Sequence, residues 1–355
     1  MNVVPALKWF HNWVGFFISL AMLIVLTTGV YLGSSDMLKR LDDKGQQYQP
    51  LSIEQKAQIT ETLFERYPKI STVKFPTQYT PYIQASARGS NIALDTDLNE
   101  LSVSKFSDSP VYSTVFWLHR NFLLDDFGKY FNAWASLLGG IITLVGVYLW
   151  WRVRKGFRLK QSIPTNTKSS SLVKSHIQLG LFISIPLFIL CLSGFLITYK
   201  SLWLGAMNSK PATEISFPQS QANNWHSQLQ TAQNIWPDSQ LVSVAKARSR
   251  KPQKPGQAAP IYNLQFDTHS DVWLRAADRI SINHQQGTIQ SVLKHSDRPL
   301  SGKLASFVRP LHDALNMPFG YVLFITSVSV VGCVILTFSL VTFYRRTFKK
   351  KPKRS

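Results

Sequence analysis

Four long apolar runs stand out from an otherwise polar chain of 355 residues, at 12–33, 128–151, 177–199 and 319–344. Each is long enough for a helix to cross a hydrocarbon core, which takes roughly 20 residues. The first run exceeds the apolar core of a cleaved export signal, and no small-x-small site clearly follows it, so it is expected to be a retained span. Between the first and second runs, and between the third and fourth, the pattern turns amphipathic.

Those two intervening segments, about 34–114 and 201–306, read as small α+β units. In the first, Ser52-Ile53-Glu54-Gln55 has the form of a capping box opening a helix that runs to about Arg66. Strand-like alternation follows at 70–75, 82–87 and 92–94. In the second, a helix at 225–235 precedes strands at 240–247, 261–267 and 279–282. The stretch 246–260 is basic and proline-rich and reads as a hairpin loop or a mobile flap; its Arg248, Arg250, Lys251 and Lys254 are read as solvated charges, with attraction of an anionic ligand as the alternative.

The two halves share their punctuation. His11 is followed by Gly15 and Gly29, and His176 at the same offsets by Gly180 and Gly194. Thr28-Gly29 in one half matches Ser193-Gly194 in the other. His119 precedes Gly139 and Arg152 as His312 precedes Gly332 and Arg345. This predicts a tandem two-span repeat whose axis runs along the membrane normal. A glycine four residues after a histidine shares its helix face. One eighteen residues on returns to that face about 27 Å along the axis. These glycines are read either as room for a flat group beside the histidine or as close helix packing.

A continuous helix from 111 to 151 would be about 60 Å long, twice the hydrocarbon thickness. A break is therefore expected, at Asp125-Asp126 and Gly128 in one half and at Met317-Pro318-Phe319-Gly320 in the other. Each places a short interfacial helix, carrying His119 or His312, ahead of a span.

The net charge of +20 raises the question of nucleic acid, and its placement answers against it. The tracts 152–174 and 345–355 hold seven basic residues each and no acidic ones, fourteen of the twenty net charges, and both abut apolar runs. This is the positive-inside pattern. Both tracts and both termini are expected to be cytoplasmic, against anionic lipid headgroups. Cys191 and Cys333 both fall within spans, so no disulfide framework is expected.

Ionisable residues at the edge of a bilayer are costly and mark function. Topology puts His11 and His176 at one face and His119 and His312 at the other. Two facing imidazoles per face suit the axial positions of haem iron in an electron-transfer protein. A zinc site would want three or four protein ligands. The alternative is four interfacial residues beside aromatic belts containing Trp9, Trp13, Trp117, Trp150 and Trp151. Arg120 and Arg309 flank the outer pair and suit propionate carboxylates. His226, His269, His284 and His295 lack tight ligand spacing and read as surface residues. No phosphate loop, dinucleotide fingerprint or metalloprotease motif is present, so electrons would need a separate donor.

The runs Leu7-Lys8-Trp9-Phe10-His11-Asn12-Trp13-Val14-Gly15 with Leu26-Thr27-Thr28-Gly29, and Trp117-Leu118-His119-Arg120 with Gly146-Val147-Tyr148-Leu149-Trp150-Trp151-Arg152, resemble the PepSY-associated transmembrane helix family. Within it the ferric-siderophore reductases of the bacterial inner membrane look closest. Ser175-His176-Ile177-Gln178 departs from the pattern in lacking aromatic neighbours.

The resemblance implies a membrane α-helical protein, with four transmembrane helices and two small α+β PepSY-like periplasmic modules. The expected organisation is a first span at 1–33, a module at 34–110, and an interfacial helix with the second span at 111–160. A cytoplasmic loop at 161–175 and the third span at 176–200 follow. A second module at 201–302, an interfacial helix with the fourth span at 303–345 and a basic tail at 346–355 complete it. It further implies two haem b groups held by His11 with His176 and His119 with His312. The activity implied is that of a ferric-chelate reductase, with a periplasmic ferric siderophore as electron acceptor and a cytoplasmic or quinol donor. A non-redox, membrane-anchored PepSY regulator and a transporter are the competing classes. Transport sites lie near the midplane, whereas these histidines lie at the faces.

Overall fold

A computed structural model describes residues 3–42, 48, 50–77, 80–87, 90–101, 109–153, 156–200, 219–247, 261–267, 277–314 and 317–348. The basic loop with Arg248, Arg250, Lys251 and Lys254, His269 and most of the basic tail lie outside the described residues.

The four apolar runs fold into helices long and apolar enough to cross a membrane. They are α1 (Val4–Asp42), α4 (Asp125–Val153), α5 (Ser169–Thr198) and α8 (Phe319–Thr347). α1 has 39 residues, so at 1.5 Å per residue it runs well beyond any hydrocarbon slab. His11 and His176 therefore do not open their helices. They sit about two turns inside α1 and α5.

Two short helices precede the even spans, α3 (Pro110–Asn121) and α7 (Leu300–Asp313). α3 starts at Ser109, whose hydroxyl accepts from the Tyr112 amide, with Pro110 in the first turn, where its missing N–H costs nothing. The break after α3 covers Phe122, Leu123 and Asp125, which take left-handed φ of 53°, 61° and 48°. It begins upstream of the expected Asp125–Gly128 and reaches Asp125. Gly128 has another task, because a Cβ there would lie 1.8 Å from the Asn121 carbonyl oxygen. Only glycine lets α4 fold back so closely on α3. The second break is at Ala314 (φ 55°) with Pro318 capping α8, close to the expected position. Arg40 of α1 donates to the Ala314 and Met317 carbonyls, satisfying acceptors left open at this turn.

The polar segments form α2 (Ile53–Arg66), α6 (Trp225–Ile235) and seven strands: β1 (Thr72–Lys74), β2 (Ile83–Ala87), β3 (Ser90–Leu94), β4 (Gln240–Lys246), β5 (Ile261–Asp267), β6 (Ala277–Asn283) and β7 (Thr288–Leu293). The capping box at Ser52 forms as expected, with Ser52 and Gln55 bonding reciprocally. β7 is an element the sequence reading does not contain. The separation into two modules also changes: β1 pairs antiparallel with β4, so both segments contribute to one sheet ordered β3-β2-β1-β4-β5-β6-β7. Pairing the two segments removes an exposed edge from each. One row of directly paired residues, Ala85, Val73, Val244, Leu264 and Ile280, faces α2 and α6, and Leu63 and Leu229 close the core above it.

Lys56 of α2 is buried over the Phe75 ring, its Nζ 5.7 Å from the centroid. Loss of water pushes its pKa down to about 8. In the unfolded chain the value returns to about 10.4. Between those values the unfolded chain binds the extra proton, so stability rises with pH across that window. The thermal midpoint of the full chain is expected to climb between about pH 8 and pH 10. Lys56→Met should flatten the climb and add about 2 kcal/mol of stability near neutral pH. A midpoint that ignores pH in both proteins would show that Lys56 keeps its water.

Candidate histidine pairs

Helix packing brings the four span histidines together in two pairs. The His11 and His176 ring centroids are 6.3 Å apart, from α1 and α5. The His119 and His312 centroids are 6.1 Å apart, from α3 and α7. In each pair one ring comes from each half of the chain. The pairs lie at opposite ends of the helices. The His119 ring packs against Gly29, where an added Cβ would lie 3.4 Å from its Cε1, and Gly29 is eighteen residues, about 27 Å, along α1 from His11.

Each ring is held by the same device. Nδ1 of His11 lies 3.2 Å from the Ile142 carbonyl oxygen on α4, and Nδ1 of His176 lies 3.2 Å from that of Ile335 on α8. Nδ1 of His119 meets the Val25 carbonyl at 3.0 Å, and Nδ1 of His312 meets that of Leu190 at 3.2 Å. A carbonyl oxygen can only accept, so Nδ1 carries the proton in every ring. The lone pair is then on Nε2. A ring N–H tied to a main-chain carbonyl is also how proteins orient metal-ligating histidines.

At the His119–His312 end a hydroxyl completes the arrangement. Thr28 Oγ1 lies 3.0 Å from His119 Nδ1 and donates to Val25 O at 2.8 Å. Ser193 Oγ lies 3.1 Å from His312 Nδ1 and donates to Leu190 O at 3.0 Å. Thr28 and Ser193 are functional candidates that sequence reasoning missed, although the match of Thr28-Gly29 with Ser193-Gly194 was a visible signal. The carbonyl partners left no trace in the sequence, since every residue has one. Asn132 anchors the His119 helix by donating to the His119 and Arg120 carbonyls. Tyr321 does so for the His312 helix through Leu311 O.

The glycines divide. Gly29 and Gly194 make room for the rings themselves: an added Cβ would lie 3.4 Å from His119 Cε1 and 3.3 Å from His312 Cε1. Gly146 does the same for His11 at 3.1 Å, a contact not foreseen. An added Cβ at Gly180 would meet no atom within 4 Å, whereas at Gly15 it would meet Ile142 Cγ2 at an ordinary 3.7 Å. Arg120 lies over the Trp117 ring at 5.4 Å, and Arg309 pairs with Asp313 at 2.9 Å. Of the remaining histidines, His284 stacks on Trp225 at 4.1 Å and packs against the Gln228 side chain. It has a structural role at the edge of the sheet core.

Whether these pairs suit haem can be tested on donors and spacing. Two imidazoles bound through nitrogen to one metal ion, at about 2 Å each, hold their ring centres about 6 Å apart. Both observed spacings agree with that, and all four rings present Nε2 as the basic nitrogen. The donor set of two neutral imidazoles is the one that fills both axial positions of haem iron. Among the described residues no three metal-binding side chains cluster, so each pair stands alone. The residues present fit the group.

The family model for the PepSY-associated TM region matches residues 8–346. No curated protein matches the chain.

The tautomer assignment has a direct check. Gly146→Val forces a branch against the His11 ring and is expected to break its bond to Ile142. Gly180→Ala adds a carbon to open space and is expected to leave all rings unchanged. In ¹⁵N spectra of histidine-labelled protein, the protonated Nδ1 signal of His11 should be lost in the first variant alone. Four Nε2-protonated rings in the wild type would contradict the assignment.

Proposed function

We propose that this chain, which belongs to the PepSY-associated TM family, is a di-haem b oxidoreductase of the bacterial inner membrane. It would pass electrons across the bilayer to a periplasmic ferric chelate, reducing a ferric siderophore so that ferrous iron is released. The observation that carries this reading is the pair of imidazole couples, 6.3 Å and 6.1 Å between centroids, one at each end of the membrane helices.

Four spans organised as a tandem repeat, with PepSY-like modules on the periplasmic side and both termini cytoplasmic, belong to the same reading. It rests on the distribution of basic residues next to the spans. Bound haem would supply a one-electron iron couple with no open coordination position. The chain's own residues do the rest. His11 and His176 would hold one group at the cytoplasmic end, and His119 and His312 the other at the periplasmic end. The carbonyls of Ile142, Ile335, Val25 and Leu190 fix each ring and raise the basicity of its Nε2. Arg120 and Arg309, next to the His119–His312 pair in the chain, would be the cations available to propionate carboxylates. The apolar span faces exclude water, which keeps reorganisation small. The donor would be a cytoplasmic reductant or membrane quinol. The acceptor iron gains one electron, and hard oxygen ligands hold ferrous iron less tightly than ferric.

Purified protein from a haem-sufficient host should be red when reduced, with paired α and β absorption bands and about two haems per chain. His119→Ala should lower that to about one and leave the His11–His176 group bound. A colourless, correctly folded protein would remove the redox reading in favour of a membrane-anchored binding protein.

A further inference from the structure

The two ends of the membrane helices differ at one position relative to the carbonyls that hold the rings. Three residues beyond Val25 and Leu190, which hold His119 and His312, stand Thr28 and Ser193. Three residues beyond Ile142 and Ile335, which hold His11 and His176, stand Val145 and Phe338. The same place thus carries a hydroxyl at one end and a hydrocarbon at the other. The geometry follows this difference. His119 Nδ1 has two oxygens at 3.0 Å, Val25 O and Thr28 Oγ1. His312 Nδ1 also has two, Leu190 O at 3.2 Å and Ser193 Oγ at 3.1 Å. Among the described residues, His11 Nδ1 and His176 Nδ1 have one each, at 3.2 Å.

A hydroxyl within a span that bonds back to its own helix is ordinary, as at Ser19 and Thr143. Thr28 and Ser193 do this too. Thr28 Oγ1 is 2.8 Å from both the Ile24 and the Val25 carbonyl oxygens, and Ser193 Oγ donates to Leu190 O at 3.0 Å. With their hydrogens engaged by the helix, both oxygens can only accept from the ring N–H. Each ring N–H at this end is therefore shared between a carbonyl and a hydroxyl. The chain from N–H through O–H to C=O polarises the hydroxyl and strengthens it as an acceptor. Acceptors at Nδ1 draw its proton outward and raise the basicity of Nε2 as a metal ligand. A stronger donor favours ferric over ferrous iron, because hydrogen bonding around the axial ligands is one lever on haem potential.

We infer that Thr28 and Ser193 are positioning residues that lower the reduction potential of the haem held by His119 and His312. The inference rests on the function proposed above and deepens it. The group nearest the acceptor is made more reducing than its carbonyl bonds alone would make it. That suits acceptors whose hard oxygen ligands hold ferric iron tightly and so resist reduction. The His11–His176 pair has no counterpart, because Val145 and Phe338 have no side-chain oxygen to offer.

Full-length, haem-loaded protein in detergent is titrated electrochemically while its absorption bands are recorded. The couple that disappears in His119→Ala belongs to the His119–His312 end. Thr28→Val and Ser193→Ala are each expected to shift that couple toward ferrous iron by about threefold, or about 28 mV at about 59 mV per tenfold for one electron. The other couple should stay in place. Thr28→Ser keeps the hydroxyl and should titrate as wild type. Val145→Thr adds a hydroxyl beside the Ile142 carbonyl and should shift the other couple toward ferric iron by a similar factor. It carries the test if the variants that lose a hydroxyl do not fold. In ¹⁵N–¹H spectra of reduced, histidine-labelled protein, the Nδ1 proton of His119 should move upfield in Thr28→Val. An unmoved proton would show that the hydroxyl does not accept from the ring. The inference fails if removing the hydroxyls leaves the potential unchanged, if both couples move together, or if Thr28→Ser behaves as Thr28→Val. Haem-loaded protein with any of those results would remove the inference alone. Correctly folded protein without haem would remove the redox function and the inference together.

Discussion

An imidazole inside an apolar helix bundle must find a partner for its N–H within the protein, because lipid offers none. Here the partner is in each case a main-chain carbonyl on a neighbouring helix, such as Ile142 for His11 and Leu190 for His312. Much else follows from that bond. It fixes the tautomer, leaves Nε2 as the basic nitrogen, and ties the histidine's helix to its neighbour. Gly29, Gly146 and Gly194 are where the rings come within 3.1–3.4 Å of the position a Cβ would take.

The His119–His312 end needs more support than the other. Its histidines ride on short helices outside the main spans, which by themselves have little reason to stay in place. Thr28 and Ser193 each add a hydroxyl to the ring bond, while Asn132, Tyr321 and Arg40 tie the short helices and their turns to the long ones. His11 and His176, set two turns inside long helices, are placed by the helices themselves and have one carbonyl contact each. Both pairs draw one ring from each half of the chain, so neither half could build a pair without the other.

The sheet makes a second bond between the halves. β1 is only three residues long, yet it pairs with β2 on one side and β4 on the other, and its Val73 is fully buried in a core shared by both segments. This arrangement commits one sheet face to α2 and α6. The other carries the polar row of Lys74, Ser243, Gln265 and Arg279.

The spans, the capping box at Ser52, the α6 helix and the four histidines were legible in the sequence. Each is written locally, in an apolar run of sufficient length, a hydroxyl three residues from an amide acceptor, or a costly residue at a boundary. Shared offsets even told which histidines correspond. The strand β7, the fusion of two segments through β1 and β4, and the start of the first break at Phe122 were not legible. They depend on which backbone groups meet, and backbone groups carry no residue identity. The same holds for the carbonyls that hold the rings. Sequence alone determined which side chains could do chemistry and at which end of the membrane helices. Only tertiary packing decided that they face each other about 6 Å apart, because that distance is set by helix approach and hydrogen bonds between segments remote in the chain.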